Sequence, residues 1–356
     1  MKILLLAKYD QAGASSRYRT LQYLSYLQSQ GIEVVVNSLL DAKYINYIFS
    51  NKKPSFLYYV KAYFKRAYLL TFQKKKYDLC WIEGELFPYL PFGLENFFLP
   101  KKYIAEYDDA IFHNYNLHRI KLIRACLGKK ISKVMKYSHH VIVGNEYVKA
   151  YALTEKVANI TILPTVVDAN IYKPNKSTTR LPDSKIIIGW LGSPTTVKYL
   201  NIIKSALLAV AKKTNVKLCV IGGEYEVEGI ETESFHWPSN WSESEEIALL
   251  NQIDIGIMPL IESPWEKGKC GFKLIKYMAC AKPVIASPVS MNCEIVEHGI
   301  NGYLAETLAD WELYLLKLIE NAQERKQFGE AGRMRMIKKY SLQATSPTLH
   351  HILANT

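Results

Sequence analysis

A ten-residue segment, residues 264–273, has the highest local density of groups that bind anions. It contains three lysines and two glycines that lead into the start of a predicted helix. Backbone N–H groups and the helix dipole at such a start attract negative charge, and glycine lets a ligand approach the backbone. A flexible surface loop would account for the lysines but not for the placement of the glycines. The sequence therefore predicts an anion site formed by Lys269, Cys270, Gly271, Phe272 and Lys273.

Two other turns combine small residues with a basic side chain, each between a predicted strand and a predicted helix. The first contains Gly13 and Arg17, and the second contains Gly192, Ser193 and Lys198. A basic side chain at a helix start can contact a phosphate group. The ordinary alternatives are a serine-capped helix in the first turn and an exposed lysine on a helix face in the second. Both turns are therefore candidates for anion binding, and the residues alone leave these alternatives open.

Two adjacent carboxylates, Asp108 and Asp109, follow another predicted strand. Ligands of parallel α/β sheets bind at the carboxyl ends of strands. There the pair could orient a hydroxyl group, bind a metal ion or act as a general base. The alternative is that Asp109 only caps the next helix. Because the sequence singles out no third metal ligand, we assign both carboxylates to a catalytic site without a metal.

Short apolar runs alternate with helix-length segments in both halves of the chain, which is typical of parallel sheets covered by helices. The predicted strands are residues 2–7, 33–36, 79–82, 103–106, 140–143, 159–163, 185–191, 216–221, 254–258 and 283–287. The predicted helices are residues 17–30, 197–212, 242–252, 271–280 and, as several segments, 311–340. Residues 167–183 are predicted as a linker. The sequence thus predicts an α/β protein with two facing Rossmann-like domains and a central cleft.

Length and composition agree with this organisation. The 356 residues suffice for about two domains, and 49% hydrophobic with 22% charged residues excludes a disordered or fibrous chain. No apolar run approaches the 18 residues of a membrane span, and the apolar start is too short for a signal peptide. The six cysteines form no CxxC pair. We therefore expect reduced thiols in a cytoplasmic protein.

The net charge of +12 is concentrated in the first half of the chain. Between Asp41 and Asp78 there is no acid, and aromatic residues alternate with nine basic ones. These are Lys43, Lys52, Lys53, Lys61, Lys65, Arg66, Lys74, Lys75 and Lys76. One interpretation is solvated helix faces, and the other is a surface, residues 43–76, that binds anionic lipid headgroups. Nucleic acid is not predicted as a partner, because no nucleic-acid-binding motif accompanies the charge.

Several motifs of the second half resemble those of retaining GT-B glycosyltransferases of family 4. Residues 273–286 read KLIKYMACAKPVIA, similar to the K-L-x-E-Y-M-A-x-G-x-P-V-V-A stretch of that family. Residues 294–304, EIVEHGINGYL, are similar to its E-I-V-x-x-G-x-N-G-F-L stretch. Residues 163–168 and 254–259 also resemble segments of that family, and they occur in the same order along the chain. The resemblance covers nearly the whole chain and is looser over residues 40–130.

The resemblance implies an acceptor-binding domain over residues 1–170 and a nucleotide-sugar-binding domain over 171–340. A C-terminal helix at about 341–356 would pack back on the first domain. Lys198 falls on the family's diphosphate-binding lysine, and Gly271 falls on a glycine whose neighbouring amides contact phosphate and donor sugar. Asp108 and Asp109 fall where many members carry a histidine–aspartate pair near the donor sugar.

Three positions depart from the family pattern. Ser193 replaces the arginine of the phosphate-binding pair, and Gly268 and Lys276 replace the two glutamates of E-x7-E. The nearest carboxylate, Glu266, is assigned to the catalytic site together with Lys273. Lys273 or Arg17 could supply the phosphate-binding charge that Ser193 lacks.

The function implied by the resemblance is retaining hexosyl transfer from a nucleoside diphosphate sugar to a glycan, without a cofactor or obligatory metal. Trp237 follows a short predicted strand at residues 234–236, where it would either lie beside the nucleotide base or pack as an ordinary aromatic side chain. The basic first half suits a lipid-linked acceptor of cell-surface polysaccharide synthesis, with the protein on the inner face of the plasma membrane. Two alternatives remain: a UDP-sugar 2-epimerase of the same architecture, and a non-catalytic GT-B subunit that binds a partner or a glycan.

Overall fold

The first six strands form one parallel sheet in the order β2-β1-β3-β4-β5-β6. They are β1 (Lys2–Tyr9), β2 (Glu33–Leu40), β3 (Leu79–Glu83), β4 (Tyr103–Tyr107), β5 (His140–Val143) and β6 (Ile160–Ile162). The central strands are continuous apolar runs because helices cover both faces of a parallel sheet. Every residue of β3 and β4 is buried, including the glutamate that each of them contains.

Short helices connect these strands. They are α1 (Ala14–Arg19), α2 (Leu24–Ser29), α3 (Ala42–Phe49), α4 (Phe56–Phe72), α5 (Phe92–Glu95), α6 (His113–Asn116), α7 (Lys121–Leu127), α8 (Lys130–Lys136) and α9 (Glu146–Thr154), with 3-10 turns at Leu21–Tyr23 and Lys74–Lys76. Side chains cap three of the helices by accepting a backbone N–H: Asp41 caps α3, Ser55 caps α4 and Asn145 caps α9.

A second parallel sheet follows in the order β12-β11-β10-β7-β8-β9. Its strands are β7 (Ile186–Leu191), β8 (Val216–Ile221), β9 (Glu231–Phe235), β10 (Ile255–Met258), β11 (Val284–Ala286) and β12 (Gly302–Leu304). Its helices are α10 (Lys204–Lys213), α11 (Glu243–Gln252), α12 (Pro264–Lys267), α13 (Phe272–Ala279), α14 (Met291–Ile295), α15 (Leu308–Glu320), α16 (Ala322–Lys339) and α17 (Leu342–Asn355), with a 3-10 segment at Val197–Ile203.

This computed structural model describes residues 1–50, 52–175, 184–235 and 242–356. The chain forms two compact units. The first unit comprises Met1–Thr165, Gly268–Cys270 and Thr345–Thr356, and the second comprises Val166–Lys267 and Gly271–Ala344. No helix in the described ranges is long and apolar enough to cross a membrane. All six cysteines are free thiols.

The predicted two-sheet α/β architecture is confirmed, with differences at element ends. The helix predicted over 17–30 begins at Ala14 and is interrupted after Arg19, where the Thr20 hydroxyl donates to the Ser16 carbonyl within the helix turn. The helix predicted over 197–212 begins as a 3-10 segment. Helices α3 and α4 agree with the interpretation of residues 43–76 as helix faces, although the sequence analysis gave no bounds for them.

One of the nine basic residues counted as surface charge, Arg66, is buried, which corrects the sequence interpretation. The Arg66 guanidinium donates to the carbonyls of Ala7 and Asn37, at 2.5 and 2.6 Å, and to the Asn37 side chain at 2.9 Å. Burial lowers the pKa of Arg66 to about 9. The Lys130 ammonium is also buried and pairs with Glu95 at 2.8 Å. Both side chains therefore stabilise the first unit and are not available to a partner.

We predict that Arg66→Met lowers the free energy of unfolding by about 3 kcal/mol, because several buried carbonyls would lose their donor. Urea unfolding of the purified protein measures this difference. The exposed neighbour supplies a control, since Lys65→Met should stay within about 0.5 kcal/mol of the wild type. Equal stability of the two variants would contradict the buried role of Arg66.

Candidate functional site

Four carboxylates lie at the carboxyl ends of β3 and β4 in the first unit. Asp108 and Asp109 were predicted from the sequence, and Glu83 and Glu106 were not. Glu83 and Glu106 are register partners in the two neighbouring strands. The signal that could have revealed them is a glutamate within an otherwise apolar strand, since a buried acid needs a specific partner.

Glu106 is held in a buried ion pair. The Arg19 side chain donates to its Oε1 at 2.8 Å, and the Trp81 indole donates to its Oε2 at 2.6 Å. Burial raises the pKa of Glu106 to about 7, although Arg19 favours the charged form. Arg19 also donates to the Leu163 carbonyl at 2.7 Å. This arginine therefore ties α1 to the ends of the central strands.

Two serines connect the first turn to the carboxylates. Ser16 donates to Glu83 at 2.9 Å, and Ser15 donates to Asp108 at 3.1 Å. Burial raises the pKa of Glu83 to about 7, and nearby Asp108 acts in the same direction. The N-cap of α1 is Gly13, which has no side-chain cap. The hydroxyls of Ser15 and Ser16 therefore bind carboxylates. They do not cap the helix, which is the alternative that the sequence left open for this turn.

The other predicted residues of this turn have local partners. A Cβ at Gly13 would lie 2.2 Å from the Tyr9 Cβ, so only glycine fits against that tyrosine. The Arg17 guanidinium donates to the Gln11 carbonyl at 2.8 Å and lies 5.0 Å from the centre of the Tyr18 ring.

The segment Gly268–Cys270 belongs to the first unit, where it packs beside the aspartates. Lys269 pairs with Asp109 at 3.2 Å, and Asn145 donates to the Gly268 carbonyl at 2.9 Å. Desolvation raises the pKa of Asp109, although Lys269 favours its charged form. A Cβ at Gly268 would lie 2.7 Å from the Ala110 backbone nitrogen. Gly268, which aligns with the first glutamate of the E-x7-E pattern, therefore has no room for a side chain.

In the second unit, Lys273 lies beside the turn that follows β7. Its ammonium is 4.1 Å from the centre of the Trp190 ring, and a Cβ at Gly192 would approach it to 2.8 Å. Lys273 is in the first turn of α13, whose N-cap Gly271 has a left-handed backbone with φ of 64°. The buried Trp190 indole nitrogen has no hydrogen-bond partner among the described residues. The structure thus brings together Gly192 and Lys273, as expected for an anion site.

The remaining residues of this turn are more exposed. Ser193 and Lys198 are both exposed, and the Lys198 ammonium lies 5.7 Å from the centre of the Tyr199 ring. The Ser193 hydroxyl hydrogen-bonds to that of Thr195 at 3.0 Å. Tyr199 donates its hydroxyl to the buried carboxylate of Glu266, which also accepts from Ser263. Glu266 is therefore held by hydroxyl donors close to the Lys198 segment.

Lys276, at the position of the second family glutamate, has a structural role in this chain. Its ammonium forms a buried ion pair with Glu246 at 2.5 Å, and Tyr172 donates to the same carboxylate at 2.9 Å.

Trp237, which the sequence analysis placed near the nucleotide base, lies outside the described residues. Within the described ranges, no group of three or more His, Cys, Asp or Glu side chains could hold a metal ion.

Comparison with known proteins identifies the class of protein to which this chain is similar. Residues 173–335 match the family described as Glycosyl transferases group 1. A 73-residue segment is 44% identical to an uncharacterized glycosyltransferase of Methanocaldococcus jannaschii, and it covers 20% of this chain. The matched segment spans only a fifth, 20%, of that relative's length.

Two solved structures share the fold over the whole chain. A glycosyltransferase from Rickettsia africae has a TM-score of 0.68 at 15% identity, with 99% of this chain and 98% of that chain covered. The Anabaena protein HepE, solved in complex with UDP-glucose, has a TM-score of 0.69 at 14% identity and complete coverage, 100%, of both chains. The GT-B fold expected from the sequence is thereby confirmed.

The raised pKa of Glu83 predicts a pH-dependent cost to stability. Between the ordinary glutamate pKa of 4.5 and about 7, the folded protein holds a proton that the unfolded chain has lost. The free energy of unfolding therefore falls as pH rises through this range. We predict that Glu83→Gln, measured by urea unfolding, gains stability relative to the wild type from pH 5 to pH 8. Glu146→Gln, at an exposed position, serves as the control and should show no such trend.

Proposed function

We propose that this chain is a retaining hexosyltransferase that uses a nucleoside diphosphate sugar as donor and a glycan as acceptor. The observation that carries the proposal is the Lys273 ammonium beside Gly192, at the carboxyl end of β7 and the start of α13. Both residues lie in the segment that matches the group 1 glycosyl transferases. HepE, which shares the fold, was solved with UDP-glucose, which supports a donor of that class.

The second unit would bind the donor through its diphosphate. Lys273, Lys198 and the backbone amides at the start of α13 would stabilise the charge that develops on the leaving diphosphate. In this scheme Lys273 supplies the positive charge that family 4 enzymes obtain from an arginine at the position of Ser193. Because Lys276 is engaged by Glu246, the ribose would have to be recognised by other groups of this unit.

The first unit would bind the acceptor. Asp108 and Asp109 are half-buried at the carboxyl end of β4, where their oxygens can orient an acceptor hydroxyl. That oxygen bonds to the anomeric carbon as the bond from this carbon to the phosphate oxygen breaks. The acceptor proton passes to the leaving phosphate oxygen on the same face, so the configuration is retained and no metal is required.

We predict that Lys273→Met weakens UDP binding about 10- to 150-fold, because a charge-assisted hydrogen bond contributes about 1.5–3 kcal/mol. Calorimetric titration with UDP, GDP, ADP, dTDP and CMP measures the affinity and identifies the base. Lys204→Met, at an exposed lysine of the same unit, is the matched control and should bind as the wild type. If the folded wild-type protein bound no nucleotide, the non-catalytic alternative would replace this proposal.

We further propose that the first unit binds the inner face of an anionic membrane, where a lipid-linked acceptor for polysaccharide synthesis would be presented. Helix α4 contains no acid, and its exposed face combines lysines with large aromatic side chains. The residues on this face are Phe56, Lys61, Phe64, Lys65, Tyr68 and Phe72. Aromatic and basic residues together favour a membrane interface, where each exposed lysine contributes about 1 kcal/mol.

Neutralising four exposed lysines of the first unit tests this surface. We predict that a Lys61, Lys65, Lys75 and Lys76 to Gln variant loses binding to vesicles that contain anionic phospholipid, measured by flotation. A variant with the same charge change in the second unit should still float with the vesicles. Its substitutions are Lys204, Lys212, Lys338 and Lys339 to Gln. Equal loss in both variants would mean that net charge, and not this surface, is responsible.

A further inference from the structure

The first unit contains a cavity of about 790 Å³ between the end of β2 and helix α4. This volume lies within the range of small-molecule sites, about 300–1,000 Å³. Aliphatic side chains and aromatic rings form most of the lining, including Leu39, Leu40, Val60, Leu90, Tyr59 and Tyr63. The residues assigned to donor binding do not line it, and neither do the four carboxylates Glu83, Glu106, Asp108 and Asp109. The cavity is therefore distinct from both groups of residues.

Two of the five tyrosines that line the cavity present apolar surface, because their hydroxyls have partners in the protein. Tyr63 donates to the Pro88 carbonyl at 2.7 Å, and Tyr115 donates to the Glu85 carboxylate at 2.8 Å. Lys130 also pairs with Glu85. With these groups satisfied, the cavity offers ring faces and aliphatic carbons, which suits a hydrocarbon ligand.

One charged lining residue connects the cavity to the carboxylate cluster. The Lys8 ammonium interacts electrostatically with Glu83 and Glu85, and also with Asp109. The Lys8 backbone N–H donates to Glu83 at 3.3 Å. A ligand whose apolar part filled the cavity would therefore have its polar end beside Lys8 and the aspartates.

The opposite side of the cavity meets the exposed face of α4. Phe56 and Phe64 line the cavity, and they are 82% and 73% exposed. Lys61 and Lys65 lie on the same exposed face of the helix. The cavity thus lies between an aromatic, basic surface and a polar cluster, an arrangement that is complementary to a lipid-linked sugar.

We infer that this cavity binds the hydrocarbon chain of the acceptor, while the acceptor's sugar lies at Asp108 and Asp109. This inference rests on the proposed function for the identity of the ligand as an acceptor. Each methylene withdrawn from water should tighten binding about fourfold at full burial. Affinity should therefore rise with chain length until the cavity is full.

The test uses alkyl maltosides of six, eight, ten and twelve carbons, titrated calorimetrically below their micelle concentrations and without nucleotide. We expect the ten-carbon chain to bind at least tenfold more tightly than the six-carbon chain. Val60→Trp, which fills the cavity from α4, should abolish this dependence. Leu90→Trp fills it from the other wall and serves if the first variant is unstable. Leu57→Trp is the control, because Leu57 is exposed on the same helix and does not line the cavity.

Affinity that is independent of chain length, or unchanged in both filled variants, would overturn the inference. The two proposals can fail separately, because the titration contains no nucleotide. A wild-type protein that showed the chain-length dependence but bound no nucleoside diphosphate would retain the cavity as an amphiphile site and lose its role in transfer. Normal UDP binding without chain-length dependence would leave the transferase proposal intact and remove the cavity site.

Discussion

The first unit depends on holding two glutamates side by side within a buried sheet. Glu83 and Glu106 occupy paired positions of β3 and β4, where burial disfavours the charged form of each carboxylate and two ionised carboxylates would repel each other. Arg19 neutralises Glu106, and Ser16 donates to Glu83. Both partners come from α1, so this helix is fixed against the strand ends. The adjacent Ser15 can then bind Asp108, which connects the buried ion pair to the exposed end of the site.

The charged groups of the two units differ in a way that fits their proposed ligands. The first unit gathers carboxylates, which recognise hydroxyl groups, and its lysine Lys269 is already paired with Asp109. The second unit presents Lys273 beside glycine backbone at a helix start, which favours a diphosphate. The positions that align with the two glutamates of the E-x7-E pattern are Gly268 in the first unit and Lys276 in the second, and both have other roles in this chain. Gly268 packs against Ala110 without space for a side chain, and Lys276 is part of a buried ion pair.

The sequence predicted the sheets and part of the site for physical reasons that the structure illustrates. Apolar runs located the central strands, and glycines after strands located Gly192 and the start of α13. Only the end of the edge strand β9 was predicted, at residues 234–236, since its residues are mostly polar. Buried charge was also missed. Arg19 lies 87 residues from Glu106, and Lys130 lies 35 residues from Glu95, so no local pattern distinguishes these pairs from surface charge.

In the proposed function, the turn after β7 and the start of α13 bind the diphosphate of a nucleotide. Hydrogen–deuterium exchange with and without saturating UDP would show whether these two segments contact the ligand. We expect slower exchange of the backbone amides over residues 191–196 and 270–275, because these N–H groups would donate to phosphate oxygens or lie beneath them. Unchanged exchange in both segments while UDP is bound would rule out this diphosphate site, and so would protection confined to another part of the chain.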